Sequence, residues 1–566
     1  MAAAVALNPQ DVVALIQGGN NLKAPISLFD ARYQPDAKNV KTFGAVGDGV
    51  VFDDAACQAA INAAGVNGNV LFPSGSTFLL SGVLTLLQGQ TIYGYGATIK
   101  RCNVVATTTT TNITTGGTPP PIVVADASNL RVGMDLAFYT GDSSSNNFDT
   151  QTHRILTIVG NTITVGTSFT TGFAAGCNII SAFGLLFSNA PGVKVFGLSF
   201  EGNRANNANN AKWYWQREIW LGGNYCAVEN CYLNNCVSEG MIIGGDGTRA
   251  ERNIVTNAGG NGIHFAGCKG ARACHNFVQN VNLTANTQHA DGCIIFSTTT
   301  GDSIIIGNYC ENGIAGISSI DSDDNSSVII QGNIIKSCTT YAIEGVLPAT
   351  NKAGRVVISG NLIYNSVVVA LNFTQAFDAT LGPYNWIIEG NYLEATTLVI
   401  KNGFECTVVS NQIKLVGDTT SIGITLSDCQ QVTASGNNVR EGANGIYVTG
   451  VNTAGVKVFG NTFRNQNQRA VNMDAHTGRA VSVEHNTIIV EAAYTAAAGW
   501  LGIVAPNNTI VNGNVMDVQM PSANTGTGIS CPNGGVGING AIVMNNIGHN
   551  TEFAEFVKKT TSIVGS

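Results

Sequence analysis

Charged side chains are scarce in this chain of 566 residues: Asp, Glu, Lys and Arg together make up 11%. With a net charge of −8 as well, the composition argues against a nucleic-acid binder, because affinity for phosphate is carried by Lys and Arg. No run approaches the ~18 consecutive apolar residues of a membrane-spanning helix, so no insertion into a bilayer is expected. The start, Met1-Ala2-Ala3-Ala4-Val5-Ala6-Leu7, lacks a basic n-region and a full apolar core, so no signal peptide is read there. Fourteen cysteines contain no Cys-x-x-Cys pair, and a zinc site is not expected. Cys226, Cys231, Cys236, Cys274, Cys310 and Cys338 fall at strand positions and read as small buried hydrophobes rather than a disulfide framework. Synthesis in a reducing cytosol fits that usage. No metal and no cofactor are expected.

Glycine is plentiful, at 67 residues, and much of it belongs to one short phrase repeated from about Pro191 to Ile547. The phrase reads Val456-Lys457-Val458-Phe459-Gly460-Asn461-Thr462-Phe463, Val356-Val357-Ile358-Ser359-Gly360-Asn361-Leu362-Ile363 and Val328-Ile329-Ile330-Gln331-Gly332-Asn333-Ile334-Ile335. With the last Asn as marker, copies stand at 203, 230, 253, 276, 308, 333, 361, 391, 411, 437, 461, 486, 514 and 546, at intervals of 20 to 32 residues. A period of that length marks a solenoid. Apolar residues alternate before the Asn and resume after it, which is a strand pattern. No repeat holds the amphipathic run of ten or more residues that a helical solenoid needs. A second strand recurs as Gly262-Ile263-His264-Phe265, Gly316-Ile317-Ser318, Gly423-Ile424-Thr425 and Gly445-Ile446-Tyr447. Two or three strands and tight turns per repeat describe one coil of a parallel β-helix, right-handed by the usual rule for parallel crossovers. The marker Asn is expected at a turn, stacked coil on coil as an amide ladder.

Taken in order, residues 1–39 form an N-terminal neck, with a short helix over 9–18 ended by Gly18-Gly19. Residues 40–102 open the β-helix, with Asp53 and Asp54 at the start of a helix running to about Ala64. Here Gly44-Ala45-Val46-Gly47-Asp48-Gly49, Asp53-Asp54-Ala55-Ala56-Cys57-Gln58-Ala59-Ala60-Ile61 and Val70-Leu71-Phe72-Pro73-Ser74-Gly75 resemble the opening segment of the pectate-lyase-like superfamily. In that superfamily this helix closes the end of a right-handed parallel β-helix, which implies structural roles for Asp48, Asp53 and Asp54. Residues 103–182 carry a Thr-rich run, Pro119-Pro120-Pro121 and the alternating segment Ile155–Val165. They are expected to form a small inserted antiparallel β-domain, a lateral stabiliser with carbohydrate contact as the alternative. Residues 183–530 hold the main coils, and 531–566 are expected to cap them.

Candidate site residues gather in the early coils. Trp213 and Trp215 share a face in strand alternation and offer stacking surfaces for sugars, with Arg217 and Glu218 placed to bond hydroxyls or a carboxylate. Further candidates lie between Asp246 and Glu344: Asp246, Arg249, His264, His289, Asp291, Asp321, Asp323 and Glu344. The loop Val281–Ala290 is long and ends in Gln288-His289-Ala290-Asp291-Gly292, and loops on rigid scaffolds collect function. Glycosidic hydrolysis needs two carboxyls, which Asp291 with Asp321 or Asp323 would supply. A lyase needs a base and a cation beside a uronate, for which His264, His289, Arg249 and Arg252 are available. His275 and His485, each directly before a marker Asn, read as structural.

The inserted domain and the coil stack resemble phage tailspikes and related polysaccharide-degrading proteins. That resemblance implies a depolymerase acting on a bacterial capsule or O-antigen polysaccharide, homotrimeric, located in a virion tail or outside the cell. The alternatives are a bacterial lyase or epimerase acting on a uronate polymer and a non-catalytic glycan-binding adhesin. Asp291-Gly292 resembles the Asn-Thr-Asp-Gly site segment of polygalacturonase-type hydrolases, but no Gly-His-Gly or Arg-Ile-Lys follows it.

Overall fold

A computed structural model describes residues 12–17, 20–25, 36–119, 121–140, 152–207, 216–283, 292–297, 301–320, 327–345, 355–365, 369–373, 385–415, 420–473, 479–491, 500–506, 508–519, 526–531, 541–549, 553–559 and 563–564. It divides into two compact units: residues 1–266 with 276–290, and residues 267–275 with 291–566. Both are built from three parallel sheets to which each coil adds a short strand, the architecture of a right-handed parallel β-helix.

In the first unit, one sheet stacks Leu84–Thr85, Leu186–Ser188, Ile219–Leu221, Met241–Gly244 and Ile263–Ala266 in parallel register. A second runs from Lys38–Asn39 to Arg249–Glu251, and a third from Asp48–Phe52 to Phe277–Gln279. Alternate residues of every strand point inward: Leu186, Ile219, Leu221, Met241, Ile243, Ile263 and Phe265 are fully buried. Each such side chain contributes about 1.5–3 kcal/mol of burial. A helix, Asp54–Ala64, buries Cys57, Ala60 and Ile61 against the first coil. The Asp53 side chain does not cap it. It accepts from the Val46 amide at 2.6 Å, while Asp54 takes the Ser81 and Gly82 amides at 2.7 and 2.8 Å. The pair is structural, as expected, but it ties down two neighbouring loops.

In the second unit, the sheet beginning with Ile294–Ser297 continues strand by strand to Phe553–Lys559. The tail expected to cap the coils supplies one more rung. Ile529 pairs with Val557, and Ile563–Val564 adds to Ile542–Met544.

The phrase itself has a clear stereochemical reading. The residue before each ladder Asn has positive φ: Gly307, Gly332, Gly360, Gly390, Gly436, Gly460 and Gly513 in the second unit, with Ser410, His485 and Asn545 filling the same slot. Glycine dominates because the left-handed region costs other residues about 1–2 kcal/mol. The following Asn is buried. Its Oδ1 accepts from the backbone amide and Nδ2 of the Asn one coil earlier, as with Asn333 and Asn361 at 2.9 and 3.0 Å. The ladder runs Asn253–Asn276 in the first unit and Asn308–Asn546 in the second. Asn230 is not a ladder member. It occupies the positive-φ slot at 54°, and Cys231 stands in the ladder position, its amide donating to Asn253 Oδ1 at 3.0 Å. Asn203 lies at a different corner, bonded to Arg101 O and Asn103.

The insertion is a six-stranded antiparallel sheet, in the order Ala106–Thr108, Asn178–Ser181, Asp135–Tyr139, His153–Val159, Thr162–Val165, Ile122–Val123. Its own core includes Ile113, Leu136, Phe138, Ile155, Ile163, Phe169 and Ile179. At the N-terminus, Val12–Gln17 pairs antiparallel with Asn20–Pro25 where a short helix was expected. Only Gly18 and Gly19 separate the two strands, the spacing of a tight hairpin, and Val12-Val13 and Ile16 are β-branched. All fourteen cysteines are free and buried.

Candidate functional site

The first sheet of the first unit carries an outward column whose register is Thr85, Phe187, Trp220, Ile242, His264. Phe187 and Trp220 meet edge to face at 5.4 Å, and the Arg217 guanidinium lies over the Trp220 ring at 3.9 Å. Just before these strands the chain turns through a second column: Glu218, Glu239 and Asn261, all buried, joined by the bonds Glu218 N to Glu239 O and Gly240 N to Asn261 O. The coils approach closely here. A Cβ at Gly240 would stand 2.6 Å from the Gly262 carbonyl oxygen.

Glu239 is the hub. Its Oε1 accepts from Asn261 Nδ2 at 2.9 Å and meets His264 Nδ1 at 3.0 Å, and Arg217 Nε lies 3.7 Å from Oε2. Burial pushes this carboxyl upward. The bond and charge of His264, the charge of Arg217 and the Asn261 amide outweigh burial and hold it below the ordinary carboxylate value. The imidazole reaches the surface, with 16% of its side chain exposed against 4% for the glutamate. A buried carboxylate thus orients a partly exposed imidazole beside an aromatic floor.

A groove of about 300 Å³ opens over that floor. Phe187, Trp220 and Arg217 line it from the coils, and Thr152, Arg154 and Thr167 from the inserted domain. Arg154 is fixed by Asp135 through Nε–Oδ1 at 3.1 Å and Nη2–Oδ2 at 2.8 Å, and it donates from Nη2 to the Val83 carbonyl at 2.8 Å.

Of the residues expected at a site, the structure brings Arg217 and His264 together through Glu239. Glu218 is elsewhere in role. It is fully buried in an ion pair with the equally buried Arg101 at 2.7 Å. Burial raises its carboxyl against the pull of Arg101, and Val237 N donates to it at 3.2 Å. Glu218 stands just before the strand Ile219–Leu221, where Arg101 draws it into the core. Arg249 sits on the second sheet, paired with Glu229 at 2.6 Å, and Arg252 shares that carboxylate at 3.0 Å. Asp246 is exposed in the turn after Met241–Gly244, where its backbone amide bonds Asn224 Oδ1. Glu344 belongs to the second unit, in the column Glu344, Asn372, Val399, Thr425, Tyr447, Asn472. In that unit Ile295 pairs with Ser318. Trp213, Trp215, His289, Asp291, Asp321 and Asp323 lie outside the described residues.

Glu239, Asn261 and Trp220 were not singled out in advance. The available signal was the shared position of Glu239-Gly240 and Asn261-Gly262 just before apolar strand starts. Among the described residues no group of three or more His, Cys, Asp or Glu is arranged to hold a metal ion. No described helix is long and apolar enough to cross a membrane.

The fold and this cluster define the chain as a parallel β-helix protein with a lateral polar and aromatic groove. No protein-family model matches it, and no curated protein matches it in sequence. Solved structures are similar to it at low identity. The surface adhesin PfbA of Streptococcus pneumoniae aligns over 79% of this chain and 91% of its own, at 15% identity and a TM-score of 0.43. Pre-mature bacteriophage phi29 gene product 12 aligns over 92% and 73%, at 13% identity and a TM-score of 0.46. The catalytic unit of a GH87 α-1,3-glucanase from Streptomyces thermodiastaticus aligns over 92% and 69%, at 12% identity and a TM-score of 0.41. The activity of this chain rests on its own residues.

Proposed function

We propose that this protein is a polysaccharide depolymerase acting on a bacterial surface glycan, from a virion tail or the cell exterior, and that its working face is the groove over Trp220. The observation that carries the reading is the chain Arg217–Glu239–His264 set beside the Phe187–Trp220 floor. An indole face takes the C–H face of a pyranose ring by apolar contact, while neighbouring polar groups fix its orientation. Both routes of glycosidic cleavage, hydrolysis and β-elimination, need a group that moves a proton at the scissile bond. His264 has that role. Glu239 holds Nδ1 and orients the ring, and the proton transfer is assigned to Nε2, as in other carboxylate-oriented imidazoles. Arg217 stays between ring and carboxylate, where its charge meets developing negative charge on the sugar.

Incubation with a panel of bacterial capsular and O-antigen polysaccharides tests the reading. New reducing ends without ultraviolet absorbance identify hydrolysis. Absorbance of an unsaturated uronate identifies elimination. Retention of glycan without either product identifies an adhesin. His264→Gln is expected to lower turnover by about 10²–10⁴-fold, with folding intact by circular dichroism. Trp220→Ala is expected to weaken glycan retention. Unchanged turnover by the His264 variant moves the site elsewhere.

A further inference from the structure

Resting on that reading, we propose that Arg154 is a specificity-determining residue, that the inserted β-domain is therefore a wall of the binding site, and that the sugar it selects bears an anionic group such as a carboxylate. Asp135 is 4% exposed, and its oxygens are taken up by Arg154 and by the Val83 amide at 3.0 Å. Glu239 is 3% exposed and is engaged by Asn261, His264 and Arg217. Both carboxylates are thus buried and engaged, and Glu239 does not line the groove. The lining carries the guanidinium groups of Arg154 and Arg217, the hydroxyls of Thr85, Thr152 and Thr167, and one carboxylate, Asp135, whose oxygens are already engaged. A groove with two lining guanidinium groups, and a single lining carboxylate that is buried and engaged, complements a ligand rich in acceptor oxygens.

Arg154 is also held in place in advance. Nε and Nη2 are committed to Asp135 and the Val83 carbonyl, which leaves Nη1 outside those bonds. Its side chain is 36% exposed. A guanidinium anchored along one edge loses little freedom on binding, and such preorganisation favours a planar anionic partner. His153, the neighbour of Arg154 in sequence, is buried, stacks on Phe169 at 3.9 Å and bonds Thr167 Oγ1 at 2.8 Å. The strand presenting Arg154 and the turn presenting Thr167 are thereby locked to each other.

The test uses the full chain and uronate-containing capsular polysaccharides, each beside its carboxyl-reduced neutral form. Arg154→Gln alone strands the buried Asp135 charge, so the double variant Asp135→Asn/Arg154→Gln, in which no charge is left unpaired, is measured with Arg154→Lys. The wild type is expected to retain an acidic member at least tenfold more tightly than its reduced form. Both variants should lose most of that preference while binding of the reduced form and the melting temperature change little. A wild type that prefers neutral members overturns the inference. So does a double variant that loses acidic and neutral binding equally and melts earlier, which would make Arg154 a staple between domain and coil. If no member is retained and Trp220→Ala changes nothing, the glycan reading itself falls. If Trp220→Ala abolishes retention while the Arg154 variants bind as wild type, only the inference about Arg154 falls.

Discussion

Glu239 sits where burial alone would favour the neutral acid, yet His264, Arg217 and Asn261 keep its carboxyl below the ordinary value of 4.5. A depressed carboxylate stabilises the fold above its unfolded-state value, and the contribution drains away as pH falls through the lower folded value. Glu239→Gln is therefore expected to cost about 1.5–3 kcal/mol at pH 7, the range for hydrogen bonds to a charged group. The deficit should shrink as pH is lowered from 4.5 through the folded value. Thermal unfolding of both proteins at pH 7 and at about pH 3 checks this, and a deficit constant with pH would contradict it. The histidine and arginine here were legible as candidates because their types stand out in a charge-poor chain. Their partner was not, since a Glu before a glycine is common and only coil stacking brings it under the imidazole. Glu218 shows the opposite error. Its type and its aromatic neighbours suggested a ligand contact, while Arg101, more than a hundred residues earlier, draws it into the core. The thiols behave as their positions implied, with burial lifting Cys231 to about 12, so it stays protonated.

Among elements, the corner formed by a positive-φ residue and a ladder Asn repeats most often and was the most readable, because two stereochemically special residues recur at a fixed spacing. Asn361 accepts from Asn333 and donates to Asn391 Oδ1 and Ile330 O, all at 2.9–3.0 Å within a buried stack. Asn361→Ala strands at least two buried groups, each worth about 1–3 kcal/mol, and should lower unfolding stability by about 3 kcal/mol. Gly360→Ala, by contrast, meets nothing within 4 Å and pays only for φ of 61°, about 1 kcal/mol. Equal losses in denaturant melts of the two variants would refute the ladder's part in stability. The slot at 230–231 was misread because Asn suits both the left-handed conformation and the ladder. The hairpin at 12–25 was misread because a short apolar run is compatible with helix or strand until its pairing is known.

For the molecule as a whole, outward apolar residues line up on the third sheet of each unit. Tyr232 and Ile254 are neighbours, 42% and 43% exposed, in the first, and Ile334 and Leu362 are neighbours, 36% and 37% exposed, in the second. Such neighbouring exposed apolar residues are candidate contact surfaces for further copies of the chain. A homotrimer is the expected state, and light scattering at micromolar protein should give about three times the chain mass. A clean 58.9 kDa species would defeat the expectation. The coil architecture, the ladder, the buried thiols and the inserted β-domain followed from the sequence alone, because each depends on spacing between residues a few positions apart or on a repeat of a few tens. The groove did not. Its floor comes from coils at 187 and 220 and its wall from 152–167, and no local pattern relates those positions. Parallel stacking sets residues one coil apart side by side, so only the register of the assembled strands decided that Glu239 would lie beneath His264, and only the docking of the inserted sheet set Arg154 beside Trp220's groove.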